Sequence, residues 1–374
     1  MLYKAKRSLL ISTISVLTST TGALYSTNLH AQNAEPQVNI GGGARFNYSW
    51  RDYDNDSNGK FEFELFRIDA DVTQGKWFLD AQYRWYQDFD TVHHAEIGYK
   101  LDEQNTIVGG VTQVPFGMEP YGSDSFWFTG AYYLGLEDDY DFGVKWRHEG
   151  GNWNADVAYF FNGEYDDGAR YGRYSFDIAN TPDQANREDG QVNGRIQYTI
   201  DNHSFGASLQ AGKFINSDSL DKGDHWAAGA HYKGIYGSWT VRAQLMQYDY
   251  ETKASLGTDD HRIALSAFEF PFDIATKATL SNLNIAKTFT FNNDFVDTVT
   301  CYNEATVINP TDEAGLTESI QNVTGCNLAK GGLYTYIDWI AGKNMWFVGG
   351  PGVGIEQGPN RWRSRLNINI GYYF

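Results

Sequence analysis

The chain has 374 residues, 41% hydrophobic and 16% aromatic, with 39 glycines, 8 prolines and a formal net charge of -18. A bundle of transmembrane helices is excluded, because each crossing needs about 20 consecutive apolar residues and no stretch past the N-terminus runs that far without a charged, amide or turn residue. Disorder is excluded by 11 Trp, 25 Tyr and 23 Phe, too much apolar surface to leave solvated, and the acidity argues against nucleic acid as a partner.

The first residues read as an export signal. Lys4, Lys6 and Arg7 form a basic start, Leu9 to Leu17 a short apolar stretch, and Leu29-His30-Ala31 a small-residue end suited to cleavage. A helical anchor is the competing reading, but the apolar stretch is far shorter than a span. Removing residues 1–31 takes 374 to 343 residues and, with three cations lost, moves the charge from -18 to -21. Residues 32–374 then form a single domain.

From Val38 the pattern has period two. Val38, Ile40, Ala44, Phe46, Tyr48 and Trp50 alternate with Asn39, Arg45, Asn47, Ser49 and Arg51, which describes a strand with one apolar and one polar face. The same alternation recurs at Trp77 to Trp85, Trp153 to Phe161, Val192 to Ile200, Trp239 to Leu245 and Leu366 to Phe374. The connections alternate too. Residues 74–76, 102–105, 148–152, 201–203 and 234–237 are tight turns, whereas 51–60, 117–141, 163–190, 216–224 and 345–360 are long and polar. Short turns at one end and long loops at the other predict an all-β, transmembrane antiparallel β-barrel of about 16 strands. That count takes residues 252–277, with Phe268-Glu269-Phe270-Pro271-Phe272, as one loop rather than an extra hairpin. A soluble β-sandwich would favour aliphatic residues on its apolar faces; here Trp and Tyr recur at strand ends, as in lipid-facing girdles.

Cys301 and Cys326 have their midpoint at 313.5, inside the turn-like stretch 309–315, so a hairpin folded there sets the thiols opposite each other. In an oxidising compartment this predicts a disulfide, with free thiols as the alternative. The spacing fits no zinc site.

The stretch Gln113-Val114-Pro115-Phe116-Gly117-Met118-Glu119-Pro120-Tyr121, continuing through Gly130-Ala131-Tyr132-Tyr133-Leu134-Gly135-Leu136-Glu137-Asp138-Asp139-Tyr140-Asp141, resembles the third-loop region of the phosphate-selective porin O and P family. The segments Tyr334 to Trp339 and Asn367 to Phe374 are similar to that family's last two strands. The resemblance implies a 16-stranded homotrimeric channel of the Gram-negative outer membrane, in contact with lipid and lipopolysaccharide, whose terminal Phe374 is the assembly signal. Unlike the arginine-lined members, this chain has no Arg in 117–141 or 216–224.

If the apolar faces meet lipid, the polar faces point into a water-filled lumen. They carry Arg45, Arg67, Arg84, Lys100, Lys145, Arg147, Arg195, Lys233, Arg242 and Arg365 against Asp69, Asp71, Asp80, Glu96, Asp156 and Asp338, a locally basic wall. For any one residue, a cross-wall ion pair that stiffens the barrel is the competing role. Loop 117–141 holds Glu119, Asp124, Glu137, Asp138 and Asp139 with Phe126, Trp127, Phe128, Tyr132 and Tyr133. So many aromatics are costly in water, so the loop is expected to fold into the lumen as a constriction, its acids facing wall arginines. Contact with lipopolysaccharide or a neighbouring subunit is the alternative.

No cofactor or metal is expected. Asp54-Asn55-Asp56-Ser57-Asn58-Gly59 opens like a calcium loop, but Leu65 stands where its bidentate Glu belongs; surface Ca²⁺ at the acidic loops stays open. No nucleophile elbow or metal-spaced histidines point to an enzyme. The expected function is passive passage of small hydrophilic solutes and anions, with a weak anion preference that extends to phosphate. A cation-preferring porin, a barrel enzyme or an adhesin are the alternatives.

Overall fold

In the computed structural model, residues 35–54, 58–252, 261–311, 315–356 and 361–374 are described; the export signal and residues 55–57 of the calcium-like stretch lie outside them. The alternating segments form β1 (Gln37–Arg51), β2 (Lys60–Gln74), β3 (Trp77–Tyr86), β4 (Asp90–Lys100), β5 (Asn105–Gln113), β6 (Tyr140–Gly150) and β7 (Trp153–Gly163). A two-residue β8 (Asp177–Ile178) precedes β9 (Asn186–Ile200), β10 (His203–Asn216), β11 (Lys222–Tyr236) and β12 (Trp239–Tyr250). Then come β13 (Arg262–Ala267), β14 (Phe270–Ala275), β15 (Lys277–Thr290), β16 (Thr298–Pro310), β17 (Ser319–Lys330), β18 (Leu333–Lys343), β19 (Gly352–Val353) and β20 (Arg363–Tyr373). Sixteen of them close a barrel in the order β1 to β7, β9 to β12, β15 to β18, β20, every neighbour antiparallel.

Outward side chains such as Ile40, Phe46, Ile97, Val157, Leu209, Leu245, Ile285 and Ile370 are exposed. A band of that kind is stable against hydrocarbon and not against water. Aromatic residues ring it, with Trp77, Trp85, Trp153, Trp239 and Trp339 all exposed. Turns 75–76, 151–152, 201–202, 237–238 and 331–332 sit at one end. At the other, the eight connections L1 to L8 include L3 (114–139), L4 (164–185), L6 (251–276) and L8 (344–362).

Cys301 and Cys326 face each other across β16 and β17 and are bonded, closing a separation of 25 residues. In the loop-entropy account such a closure contributes about 3 kcal/mol.

The segment 252–277 departs from the expectation of a plain loop. Its described part forms the hairpin β13–β14, yet this hairpin stays out of the barrel wall and joins β8 and β19 in a separate four-stranded sheet. The hairpin turns at Phe268 and Glu269, which take φ of 53° and 73°, the region where turn sequences ordinarily carry Gly or Asn. With neither present, nothing in the sequence marked a turn.

The seam joins the two chain ends. Gly43–Arg51 of β1 pairs with Arg365–Tyr373 of β20, and Gly42 and Phe374 exchange two backbone hydrogen bonds of 3.0 Å. A Cβ on Gly42 would stand 2.6 Å from the Arg67 carbonyl oxygen and 2.9 Å from the Phe374 ring. Gly42→Leu is therefore expected to block closure, and the variant should lose the heat-modifiable mobility of a folded barrel on semi-native gels. A variant that still closes would show that the seam tolerates a side chain there.

Candidate functional site: a half-filled lumen

L3 does not leave the barrel. The Gly117 N–H donates to Ser208 Oγ of β10 at 3.0 Å and the Met118 N–H to Gln244 Oε1 of β12 at 3.1 Å. Glu304 of β16 accepts from the hydroxyls of Ser123 and Ser125, both at 2.7 Å to Oε2, and from the Asp124 and Ser125 N–H groups. The Phe126 N–H donates to Asp338 of β18 at 3.2 Å, the Gly130 N–H to Thr306 of β16 at 3.1 Å, and Gln321 of β17 donates to the Phe128 carbonyl at 2.9 Å. These partners are inward side chains of β10 to β18, so the loop lies flat on that half of the inner wall. Burying so much loop backbone is tolerable because its polar groups find partners there.

The sheet β19-β14-β13-β8, drawn from L4, L6 and L8, packs behind L3. Ile263, Leu265, Ile274 and Val353 are fully buried, and they join one core with inward Phe214, Met246, Tyr248, Leu280, Ile308, Val323 and Ile340 of the barrel wall. The expectation of a polar inner face throughout is thus corrected. On β10 to β18 several inward positions are apolar because protein, not water, covers them.

Water is left the other half. A cavity of about 1150 Å³ is lined on the wall by Arg45, Arg51, Glu62, Glu64, Arg67, Arg84, His93, His94, Tyr336, Arg365 and Tyr373. The facing side carries Tyr121, Phe126, Trp127, Phe128, Tyr132, Tyr133 and Asp138 of L3, with Phe268 and Phe270 of the β13–β14 hairpin and Trp346 and Phe347 of L8. It extends from Tyr334 and Tyr373, beside the short-turn end, to Arg51 and Tyr53 at the long-loop end. One face of the passage is basic and the other aromatic.

Of the ten basic positions singled out in the sequence, Arg45, Arg67, Arg84 and Arg365 come together on this cavity. Arg45 pairs with Glu64 at 2.6 Å and Arg67 with Asp69 at 3.2 Å. Arg84 is buried, donates to Gln82 and to the Tyr86 hydroxyl at 3.3 Å, and stacks over Tyr174 at 4.3 Å. Arg365 donates to the Phe347 carbonyl and Ser49 and lies 3.9 Å over Trp127. Neither Arg84 nor Arg365 has a carboxylate within ion-pair distance among the described residues.

The other six lie elsewhere. Arg242 pairs with Asp124, and Arg195 lies beneath L3 between Glu119 at 3.7 Å and Asp156 at 3.6 Å. Arg147 pairs with Asp156 at 3.1 Å, Lys145 is buried and donates to the Gln113 carbonyl, and Lys100 is exposed at the end of β4. Lys233, half-buried on β11, lines no part of the cavity.

The L3 acids divide likewise. Asp124 and Glu119 reach wall arginines, whereas Glu137 accepts from Thr129, Gln244 and the Gly122 N–H, and Asp138 from the Tyr174 hydroxyl. Burial pushes the Glu137 carboxyl up to about 7 and that of Asp138 up to about 6, against the pull of these hydrogen bonds. Asp139 turns toward L4 instead. Sequence reasoning did not single out Arg51, Tyr53, His93, Trp346 or Phe347 as cavity residues; the aromatic run 268–272 was the available signal that L6 would seek cover.

A closed 16-stranded barrel, with an apolar outer band and a loop-narrowed passage through it, defines the outer-membrane porin fold. Solved structures agree. The chain is similar to OmpT of Vibrio cholerae, at 13% identity and a TM-score of 0.59 over 93% of this chain and 100% of that one. It is similar to Salmonella typhi OmpF, at 15% identity and 0.59 over 90% and 97%. It is also similar to an anion-selective porin from Comamonas acidovorans, at 12% and 0.56 over 91% and 100%. No family model and no curated protein matches the sequence.

Proposed function

We propose that the protein is a porin of the Gram-negative outer membrane through which small hydrophilic solutes and ions, phosphate included, diffuse passively with a weak preference for anions. The observation that carries this reading is the charge lining the cavity: Arg45, Arg51, Arg67, Arg84 and Arg365 stand against Glu62, Glu64 and Asp138. The opposing acidity of the chain is held mostly in outer loops, where a Debye length of about 8 Å screens it from the passage. Charges in the narrow part act across a low-dielectric wall and are screened less. Five arginines partly neutralised by pairing bias the field without forming a tight phosphate site, in keeping with the absence of Arg from L3. The chain is read as a channel rather than an enzyme or adhesin, because the cavity inside the barrel is lined from residues near the short-turn end to residues at the long-loop end. Likeness to an outer-membrane OmpT described in trimer form supports a homotrimer, and contact with lipid and lipopolysaccharide is part of the proposed reading.

Reversal potentials across planar bilayers under a KCl gradient test the sign. Wild type is expected to favour chloride, and Arg84→Gln with Arg365→Gln to abolish that preference. A cation preference in wild type would mean that the loop acids control the pore.

A further inference from the structure

Where L3 returns to the wall, five carboxylates converge from three separate segments. Asp139 closes L3 and Asp141 opens β6; Glu164 and Asp177 belong to L4; Glu188 sits near the start of β9. Asp139, Asp141 and Asp177 are 6%, 0% and 3% exposed, and each offers an oxygen lying within 4.8 Å of the others. The carboxyl groups of Asp139 and Glu164 are each within hydrogen-bonding reach of Asp177. Arg173 is the cation among them, donating to Asp177 at 2.8 Å and standing 3.9 Å from Glu164. A small void beside the cluster is bordered by Asp139, Asp177 and Glu188, with His225, Gln210 and Tyr250 on its far side.

One guanidinium cannot balance four buried carboxylates and a half-buried fifth, Glu188, and ionised groups packed this closely without compensation are strongly destabilising. Part of the hydrogen-bonding capacity is used: Asp141 Oδ2 accepts from Gln191 at 2.9 Å, Asp139 Oδ1 from the Tyr140 N–H at 3.0 Å, and Glu164 Oε1 from the Tyr174 and Ser175 N–H groups at 3.1 Å. The remainder is not. Asp141 is fully buried, and its Oδ1 has no hydrogen-bond partner; Glu164 Oε2 has none either. Either protons or a cation must supply the missing positive charge. Oxygen atoms up to 4.8 Å apart are what a shared Ca²⁺ presents, since its ligands lie at about 2.3–2.6 Å on either side of the ion. An all-oxygen donor set also favours a hard cation over a soft one.

We propose that Asp139, Asp141 and Asp177, backed by Glu164 and Glu188, bind a Ca²⁺-sized divalent cation that pins the root of L3 to L4 and to the barrel wall. The site is internal, distinct from the calcium-like sequence stretch 54–59, and does not depend on which solutes pass. Its consequence is mechanical: the loop that narrows the passage is held at its root by an ion as well as by hydrogen bonds.

The full-length barrel, purified in detergent and stripped with EDTA at pH 8, is the material for the test. Adding CaCl₂ is expected to raise the unfolding temperature by about 3 °C or more, and Tb³⁺ is expected to bind with luminescence sensitised through Tyr140, Tyr174 and Tyr250. Asp141→Asn with Asp177→Asn relieves repulsion at the cost of the Arg173–Asp177 ion pair while Glu164 stays beside Arg173; it should remain folded in EDTA and should lose both responses. Asp218→Asn with Asp221→Asn, in an exposed turn, should keep them. Wild type that neither binds Tb³⁺ nor responds to Ca²⁺ overturns the proposal, whatever the variants do, and assigns the balance to bound protons. Responses that survive in the Asp141/Asp177 variant overturn it as well, by placing the ion on the surface loops.

Discussion

Deleting residues 123–131 is expected to raise single-channel conductance about twofold or more, since flow follows the open cross-section of a narrow pore. The excised segment carries Phe126, Trp127 and Phe128, which form much of the aromatic face of the cavity. It also carries the groups that fasten L3: Ser123, Asp124 and Ser125 on Glu304, Phe126 on Asp338 and Gly130 on Thr306. The deletion has a second readout. Glu304 and Asp338 are buried beneath the loop; uncovered, they become solvated lumen carboxylates, and Arg242 loses its partner Asp124. Two new acids against one released base should move selectivity toward cations while conductance rises. A barrel that remains folded and heat-modifiable with unchanged conductance would show that this segment does not limit flow.

The barrel wall was legible because lipid imposes a strict rule on it. Every second residue must be apolar, and the alternation at Val38 to Trp50 or Leu366 to Phe374 survives whatever the lumen contains. The disulfide was legible for a related reason: antiparallel register makes the sequence midpoint of two partners the centre of their hairpin, and Cys301 and Cys326 obey it. The filling of the lumen was not legible. Met246, Leu280, Ile308, Val323 and Ile340 point inward and are apolar, so a rule of polar insides misassigns them; what covers them is the sheet built from L4, L6 and L8. Its strands β8 and β19 have two residues each, too short for any periodicity to register. The basic wall was half legible for a similar reason. Alternation put Arg84 and Arg195 on the same inward face, but only the fold of L3 decides that Arg84 meets the passage while Arg195 is sealed beneath the loop. The carboxylate cluster was invisible, because its members are dispersed between Asp139 and Glu188 and meet only through L4.

Anion preference is expected to strengthen as pH falls from 8 to 5, and Asp138 is the group expected to cause it. Its carboxyl lines the cavity, receives the Tyr174 hydroxyl and is pushed by burial up to about 6. Because the shift is upward, the proton stays bound below about pH 6 and the negative charge is present above it. Five arginines therefore face three carboxylates at pH 8 and two at pH 5. Glu137, pushed up to about 7, also titrates in this range, but its oxygens are turned to Thr129, Gln244 and the Gly122 N–H, away from the cavity, so its charge reaches the permeating ion weakly. Losing one charge in a narrow, low-dielectric passage should raise the chloride-to-potassium permeability ratio roughly twofold. Asp138→Asn isolates the contribution of this one group. That variant should already show the acid-like ratio at pH 8 and change little on acidification. A wild-type ratio that is flat between pH 5 and 8 would show that Asp138 does not act on the ion path. A variant whose ratio changes with pH as steeply as that of wild type would show that another group sets the pH dependence.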